Sequence, residues 1–320
     1  MKGVIFDNQT LKPEELDMSG LEKLGIDWTQ YPATDTEQVA ERLAGAAVAI
    51  TNKVVIDRAA IEANPFLKLI CICATGTNNV DLAAASRQGI VVCNVNGYGT
   101  ASVAQHTLAL ILGLATRWNR YDQDARSGAW SRSPMFCLMD HPVVELQGKV
   151  LGLIGYGHLG QRVGELAEAF GMTVKVAASL RPEAPPQQGR VPLDELLAQA
   201  DVISLHCPLT PQTEKLVGPA FLAAMKPGAF LINTARGGLV DEPALADALR
   251  RGALGGAALD VLSQEPPPAD HPLLADDIPN LILTPHSAWV SRESRQRLID
   301  GVIDNIRAWQ AGSPLNQVNA

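Results

Sequence analysis

Clustered cations are missing from this sequence. Its 26 Lys and Arg stand against 34 Asp and Glu, a net charge of −8, and no stretch gathers basic side chains locally. A phosphate backbone or an anionic lipid surface would meet repulsion, so neither nucleic acid nor membrane is an expected partner. Long apolar runs are missing too. The longest, "ASVAQHTLALILGLAT" at residues 101–116, is too short for a bilayer and carries Gln105 and His106, so it reads as a buried core helix. Metal-binding cysteine spacing is absent. Cys71, Cys73, Cys93, Cys137 and Cys207 are odd in number and mostly sit in apolar runs, where cysteine acts as a small buried hydrophobe. Cys71 and Cys73 alternate along one strand without the two-residue gap of a metal knuckle, and no metal site is expected. "MKGVIFDNQT" opens directly on a strand, with no signal-type apolar region or Arg-rich presequence. A reduced, cytoplasmic setting is the expectation. Repeats and low-complexity tracts are lacking, and "RPEAPPQQGR" and "SQEPPPADHP" read as Pro-rich loops.

What is present describes a compact chain. The 320 residues are 47% apolar and only 19% charged, more than one average domain needs. Short strand-like runs ("GVIFD", "AAVAIT", "LKLICICAT", "IVVCNV") alternate with helical ones before the long helix. A second such series begins at residue 149 with "KVLGLIG" and runs to "LILTPH". The alternation predicts α/β architecture, two doubly wound parallel-sheet domains in series. From Ser291 to about Gly312, Leu298, Val302, Ile306 and Trp309 fall at helical spacing, and this helix is expected to return to the first unit. The chain then crosses between domains twice, near Tyr98 to Thr100 and near Ser287, with a ligand cleft expected between them.

Two features carry chemistry. "VLGLIGYGHLG" places Gly155, Gly157 and Gly160 as GxGxxG between an apolar strand and a helical pattern. There the first glycine allows a tight turn, the second lets backbone approach a pyrophosphate, and the third lets the helix pack closely. The anion would sit at a helix N-terminus, where unpaired N–H groups favour it. The second feature is "FLINTARGGLV", a buried strand ending on Arg236 and two glycines. A guanidinium is costly to desolvate unless an anion meets it, so Arg236 predicts an anionic ligand.

With "ATGTNNVD", "SVAQHTLALIL", "GYGHLG", "LHCPLTPQT", "MKPGAFLINTARGGLVDEPALADAL", "GGAALDVLSQEPP" and "HPLLADDIPNLILTPHSAW" in order along almost the whole chain, the sequence resembles the D-2-hydroxyacid dehydrogenase family. Its glycerate dehydrogenase or hydroxypyruvate reductase branch is the nearest match. The resemblance implies a Rossmann-type NAD(P)-binding domain, residues 99–286, inserted into a flavodoxin-like substrate domain, residues 1–98 and 287–320. It implies hydride transfer between a nicotinamide cofactor and a small 2-oxo acid, hydroxypyruvate or glyoxylate, giving D-glycerate or glycolate. Some relatives carry a regulatory C-terminal extension, and this chain, ending at Ala320, is expected to lack one.

Mapped by motif, the family's catalytic positions are Arg236, Glu265 and His286. Arg236 would grip the carboxylate and carbonyl oxygens of the substrate with its forked donors. His286 would pass the proton, and Glu265 would bond its other ring nitrogen and favour the imidazolium. Thr75, Gly76 and Thr77 are implied as carboxylate-holding backbone. Asp260 is implied to bind the nicotinamide carboxamide. Cofactor contacts are further implied at His158, Leu159, His206, Cys207, Pro208, Thr234 and Ala235. His106, His158, His206 and His271 are expected to be non-catalytic. Phosphite dehydrogenases share the architecture but resemble one another in a lysine where this chain has Thr75. A dinucleotide-sensing corepressor of the same fold would carry tails not seen here.

Two expectations concern partners. NAD-preferring proteins of this fold place an acid about twenty residues beyond the glycines. Here the strand is "TVKVAASLRP", with Ala178, Ser179, Leu180 and Arg181 before any acid. Ser179 and Arg181 suit a 2′-phosphate, so NADP(H) is expected to serve at least as well as NAD(H). "YDQDARSGAWSRSPMFCLMDHP" is too long for a simple connection and carries Trp130, Met135 and Phe136. It predicts a homodimer arm, and the resemblance implies that such an arm lends an aromatic residue to the partner's substrate site, with Trp130 the candidate.

Overall fold

A computed structural model describes residues 1–181, 183 and 188–319. Residues 182 and 184–187, in the expected Pro-rich loop "RPEAPPQQGR", lie outside the described residues. The chain divides into two compact units, Met1–Gly99 with Trp289–Ala320, and Thr100–Ala288. Each is built on one parallel sheet.

The first unit has five strands: β1 (Lys2–Ile5), β2 (Asp27–Gln30), β3 (Val48–Thr51), β4 (Leu69–Ile72) and β5 (Val91–Cys93). Their order is β2-β1-β3-β4-β5, the flavodoxin-like arrangement. β3 and β4 read VAIT and LICI and are buried throughout, as parallel strands covered on both faces must be. One face packs Phe6, Ile70 and Val92 against Val39, Ile61 and Ala84. On the other, Ile50, Leu69 and Cys71 meet Leu298, Val302 and Ile306 of the helix Arg292–Gln310. That helix therefore completes the first unit, and the side chain of Ser291 caps it by accepting from Ser294 N.

The second unit has seven: β6 (Val150–Ile154), β7 (Thr173–Ala177), β8 (Arg190–Val191), β9 (Val202–Leu205), β10 (Phe230–Asn233), β11 (Gly256–Leu259) and β12 (Leu281–Leu283). The order β12-β11-β10-β9-β6-β7-β8 reverses direction between β6 and β9, the Rossmann-type switch point. The helix Thr100–Thr116 packs Ala104, Leu108, Ile111 and Leu114 against Leu151, Ile232 and Ala258. It is thus the buried core helix expected of its apolar run. Ser287 and Ala288 stay with this unit because their backbone N–H groups donate to Asp260, at 2.8 and 2.9 Å.

Among the described residues no helix is long and apolar enough to cross a membrane. None of their His, Cys, Asp and Glu side chains group in threes that could hold a metal ion.

Candidate active site

The glycine loop follows β6 at the switch point. Gly155 has φ +96°, and a Cβ there would lie 2.4 Å from the carbonyl carbon of His206 and 2.5 Å from Cys207 N. Only glycine fits that approach. At Gly160 a Cβ would meet the Gly155 carbonyl oxygen at 2.4 Å, so the third glycine seats the helix His158–Ala169 against the turn. Gly157 differs: a Cβ there would meet nothing within 4 Å. It stands at the N-cap of a twelve-residue helix whose first N–H groups have no side-chain cap. That is the room a pyrophosphate needs, and the loop fits the expected dinucleotide. His158 is exposed at the helix start, and partly buried Leu159 packs against the core.

Beside the loop, His206 bonds Ser204 Oγ through Nε2 at 2.9 Å, while its buried Nδ1 makes no hydrogen bond among the described residues. Burial pushes the imidazole down to about 4, so it is neutral at ordinary pH. Cys207 is buried, and the Pro208 carbonyl accepts from Thr213 Oγ1 at 2.8 Å. β7 ends at Ala177 with no acid after it until Glu183. Ser179 Oγ accepts from Arg181 N at 3.3 Å, which leaves its hydroxyl hydrogen available to an acceptor, and Arg181 is exposed. A further cation, without a local sequence signature, stands nearby. The Arg190 guanidinium lies 4.8 Å over the Tyr156 ring within the glycine loop and bonds the Ala177 carbonyl at 3.4 Å.

The remaining groups sit beyond the carboxyl ends of three adjacent strands. After β10, fully buried Asn233 accepts from Ala235 N at 3.0 Å and donates to Arg236 O at 2.9 Å, shaping the turn that bears the arginine. Arg236 bonds the Ala235 carbonyl at 2.6 Å and forms no ion pair among the described residues. A Cβ on Gly237 would lie 1.9 Å from the Leu262 carbonyl carbon, so the backbone after Arg236 lies directly against the segment leading to Glu265. After β11, Glu265 Oε1 accepts from Leu262 N at 3.0 Å, and its Oε2 is 2.6 Å from His286 Nδ1. After β12, His286 holds the left-handed φ of +51°.

Asp260 is 2% exposed, with both oxygens occupied: Oδ1 accepts from Thr284 Oγ1 at 2.6 Å and Ser287 N at 2.8 Å, Oδ2 from Ala288 N at 2.9 Å. His106, which the sequence suggested only as a helix passenger, reaches Thr284 Oγ1 at 3.0 Å. Thr234 is bonded to Thr107 across 3.0 Å.

In the first unit, the loop after β4 holds Thr75, Gly76 and Thr77. Thr75 Oγ1 donates to Val95 O at 3.1 Å, and Asn94 Nδ2 donates to Thr75 O at 2.7 Å. Trp130 is 54% exposed and donates its indole N–H to Phe136 O at 2.9 Å.

A parallel sheet with a phosphate-type glycine loop at its switch point, and a carboxylate–imidazole pair beyond the same sheet edge as an arginine without an ion pair among the described residues, fits the class of nicotinamide-dependent oxidoreductases of 2-hydroxy acids. The sequence profile described as D-isomer specific 2-hydroxyacid dehydrogenase, NAD binding domain, matches residues 108–288, and the chain belongs to that family. It is 46% identical over 295 residues to a glycerate dehydrogenase of Methylorubrum extorquens, covering 92% of each chain. It is 42% identical over 323 residues to a hydroxypyruvate reductase of Blautia hydrogenotrophica, covering 100% of both. Among solved structures it resembles an NADPH-dependent glyoxylate/hydroxypyruvate reductase from Sinorhizobium meliloti, TM-score 0.83 and 28% identity, covering 99% of this chain and 97% of that one. The chain is an NAD(P)-dependent D-2-hydroxyacid dehydrogenase reducing 2-oxo acids. Neither a phosphite dehydrogenase nor a corepressor-like protein is what these relatives favour.

Proposed function

We propose that this enzyme reduces hydroxypyruvate and glyoxylate to D-glycerate and glycolate, using NADPH at least as well as NADH. The observation that carries the reading is Arg236, a cation without an acidic partner among the described residues, beyond the same sheet edge as the His286–Glu265 pair. Its planar fork suits the carboxylate and carbonyl oxygens of a 2-oxo acid. Glu265 occupies His286 Nδ1, which leaves Nε2 to donate the proton to the carbonyl oxygen. A reduced nicotinamide, when bound, would supply the hydride. That hydride would form the new C–H bond as the carbonyl π bond breaks, and the proton from His286 would complete the hydroxyl group. In the first unit, the backbone of Thr75, Gly76 and Thr77 is assigned as donors to a carboxylate.

For the cofactor, the acid-free end of β7 and the cations Arg181 and Arg190 support a 2′-phosphate. Asp260 is kept as a candidate for the nicotinamide carboxamide, with its carboxylate already accepting three protein donors. The enzyme is further read as a homodimer in a reducing cytoplasm. Support comes from the excursion that leaves Phe136 90% and Met139 72% exposed, and from five unpaired cysteines. Trp130 is the aromatic assigned to the partner's site.

The experiment is a panel of 2-oxo acids assayed with NADH and NADPH, with light scattering on the same preparation. Hydroxypyruvate or glyoxylate should lead in kcat/KM, NADPH should equal or exceed NADH, and the mass should be that of a dimer. A tenfold preference for NADH, about 1.4 kcal/mol in the opposite direction, would refute the cofactor reading.

A further inference from the structure

His286 has φ +51°, a conformation that disfavours a side chain with a Cβ and persists only where the surroundings enforce it. The enforcement is visible. His286 N donates to Asp260 O at 2.8 Å and to Thr284 O at 3.0 Å. The next two backbone N–H groups, of Ser287 and Ala288, donate to the two oxygens of the Asp260 carboxylate at 2.8 and 2.9 Å. The turn is thus clamped around one buried acid.

That acid is reached in turn from the long helix. Thr284 has a single hydroxyl hydrogen, which goes to Asp260 Oδ1 at 2.6 Å. Its oxygen must therefore accept from His106 Nε2, at 3.0 Å, and His106 must carry its proton there. One helical turn earlier, Ser102 Oγ donates to Ala288 O at 2.7 Å. One residue on, Thr107 bonds Thr234, two residues before Arg236, at 3.0 Å. Ser102, His106 and Thr107 of the helix Thr100–Thr116 therefore tie it to both the His286 turn and the Arg236 turn.

We propose that His106, through Thr284 and Asp260, is a positioning residue that fixes the His286 imidazole against Glu265. His106 donates to Thr284, Thr284 orients Asp260, and Asp260 holds the left-handed turn. This inference rests on the reading of His286 as the proton donor. Loosening the turn weakens the 2.6 Å contact to Glu265, which fixes the orientation of the ring. Misplacement of this order costs about tenfold to a hundredfold in rate.

The test compares His106→Leu, which fills the space without a donor, His106→Gln, which keeps an N–H donor, and Thr284→Val, which removes only the hydroxyl. His286→Ala serves as the reference. Each is assayed for kcat and KM with a 2-oxo acid and for NADPH affinity by fluorescence. His106→Leu and Thr284→Val should lose about tenfold to a hundredfold in kcat, with NADPH affinity within about twofold of wild type. His106→Gln should regain most of the rate. Wild-type kcat in the Leu and Val variants would overturn the inference, as would equal impairment in Leu and Gln. A loss of NADPH affinity matching the loss of rate would assign the network to the cofactor instead. Near-normal turnover by His286→Ala would overturn the proton-donor reading itself, and the positioning role with it.

Discussion

His286 Nδ1 lies 2.6 Å from Glu265 Oε2, a contact between residues delivered by two neighbouring strand ends, β12 and β11. An imidazole held this way has one ring nitrogen fixed, and the proposed role as proton donor falls to the other.

Replacing His286 by Gln removes the donor while keeping a polar side chain, and should lower kcat about 10²- to 10⁴-fold. Glu265→Gln removes the carboxylate that holds His286 Nδ1, so kcat should fall about tenfold or more. Steady-state kinetics read both. Wild-type kcat in Glu265→Gln would argue against the pairing.

Arg236→Lys replaces a fork by a point charge. The expected result is a loss of about tenfold or more in kcat/KM for the 2-oxo acid, seen mainly in KM, with cofactor affinity unchanged. A variant with wild-type KM would show that Arg236 does not hold the substrate.

His206 bears on stability. Burial lowers its imidazole from 6.5 to about 4, so between these values the unfolded chain binds a proton that the folded chain refuses. The associated stability is complete above about pH 6.5 and is lost as the pH falls toward 4, by an amount on the order of 2–3 kcal/mol. Urea unfolding near pH 7 and near pH 4.5 should show a larger loss for wild type than for His206→Gln. Equal losses would contradict the assignment.

Much of this was legible in the sequence, for reasons that differ by residue. Gly155, Gly157 and Gly160 announce themselves because the phosphate turn is local: three glycines, one strand and one helix suffice. The helix Arg292–Gln310 was visible through Leu298, Val302 and Ile306, since periodicity shows a buried face whatever covers it. Arg236 was conspicuous as a charge closing a buried strand. His106 was not, because its partner Thr284 lies 178 positions away, and a histidine in an apolar helix has no local signature. The spacing of Ser102 and His106 by one helical turn was the only trace. Arg190 was hidden in the same way, by a β7–β8 pairing that a two-residue strand barely signals. Asp260 could be placed by its motif, but the three donors that occupy its carboxylate come from residues 284, 287 and 288, and only the folded chain assembles them.

The most direct test of the central claim is the stereochemical analysis of product formed from hydroxypyruvate and NADPH by the wild-type enzyme and by His286→Ala. The account predicts D-glycerate in amounts equal to the NADPH oxidised, and at least about a hundredfold slower formation by the variant. L-glycerate, or an undiminished rate without His286, would contradict it.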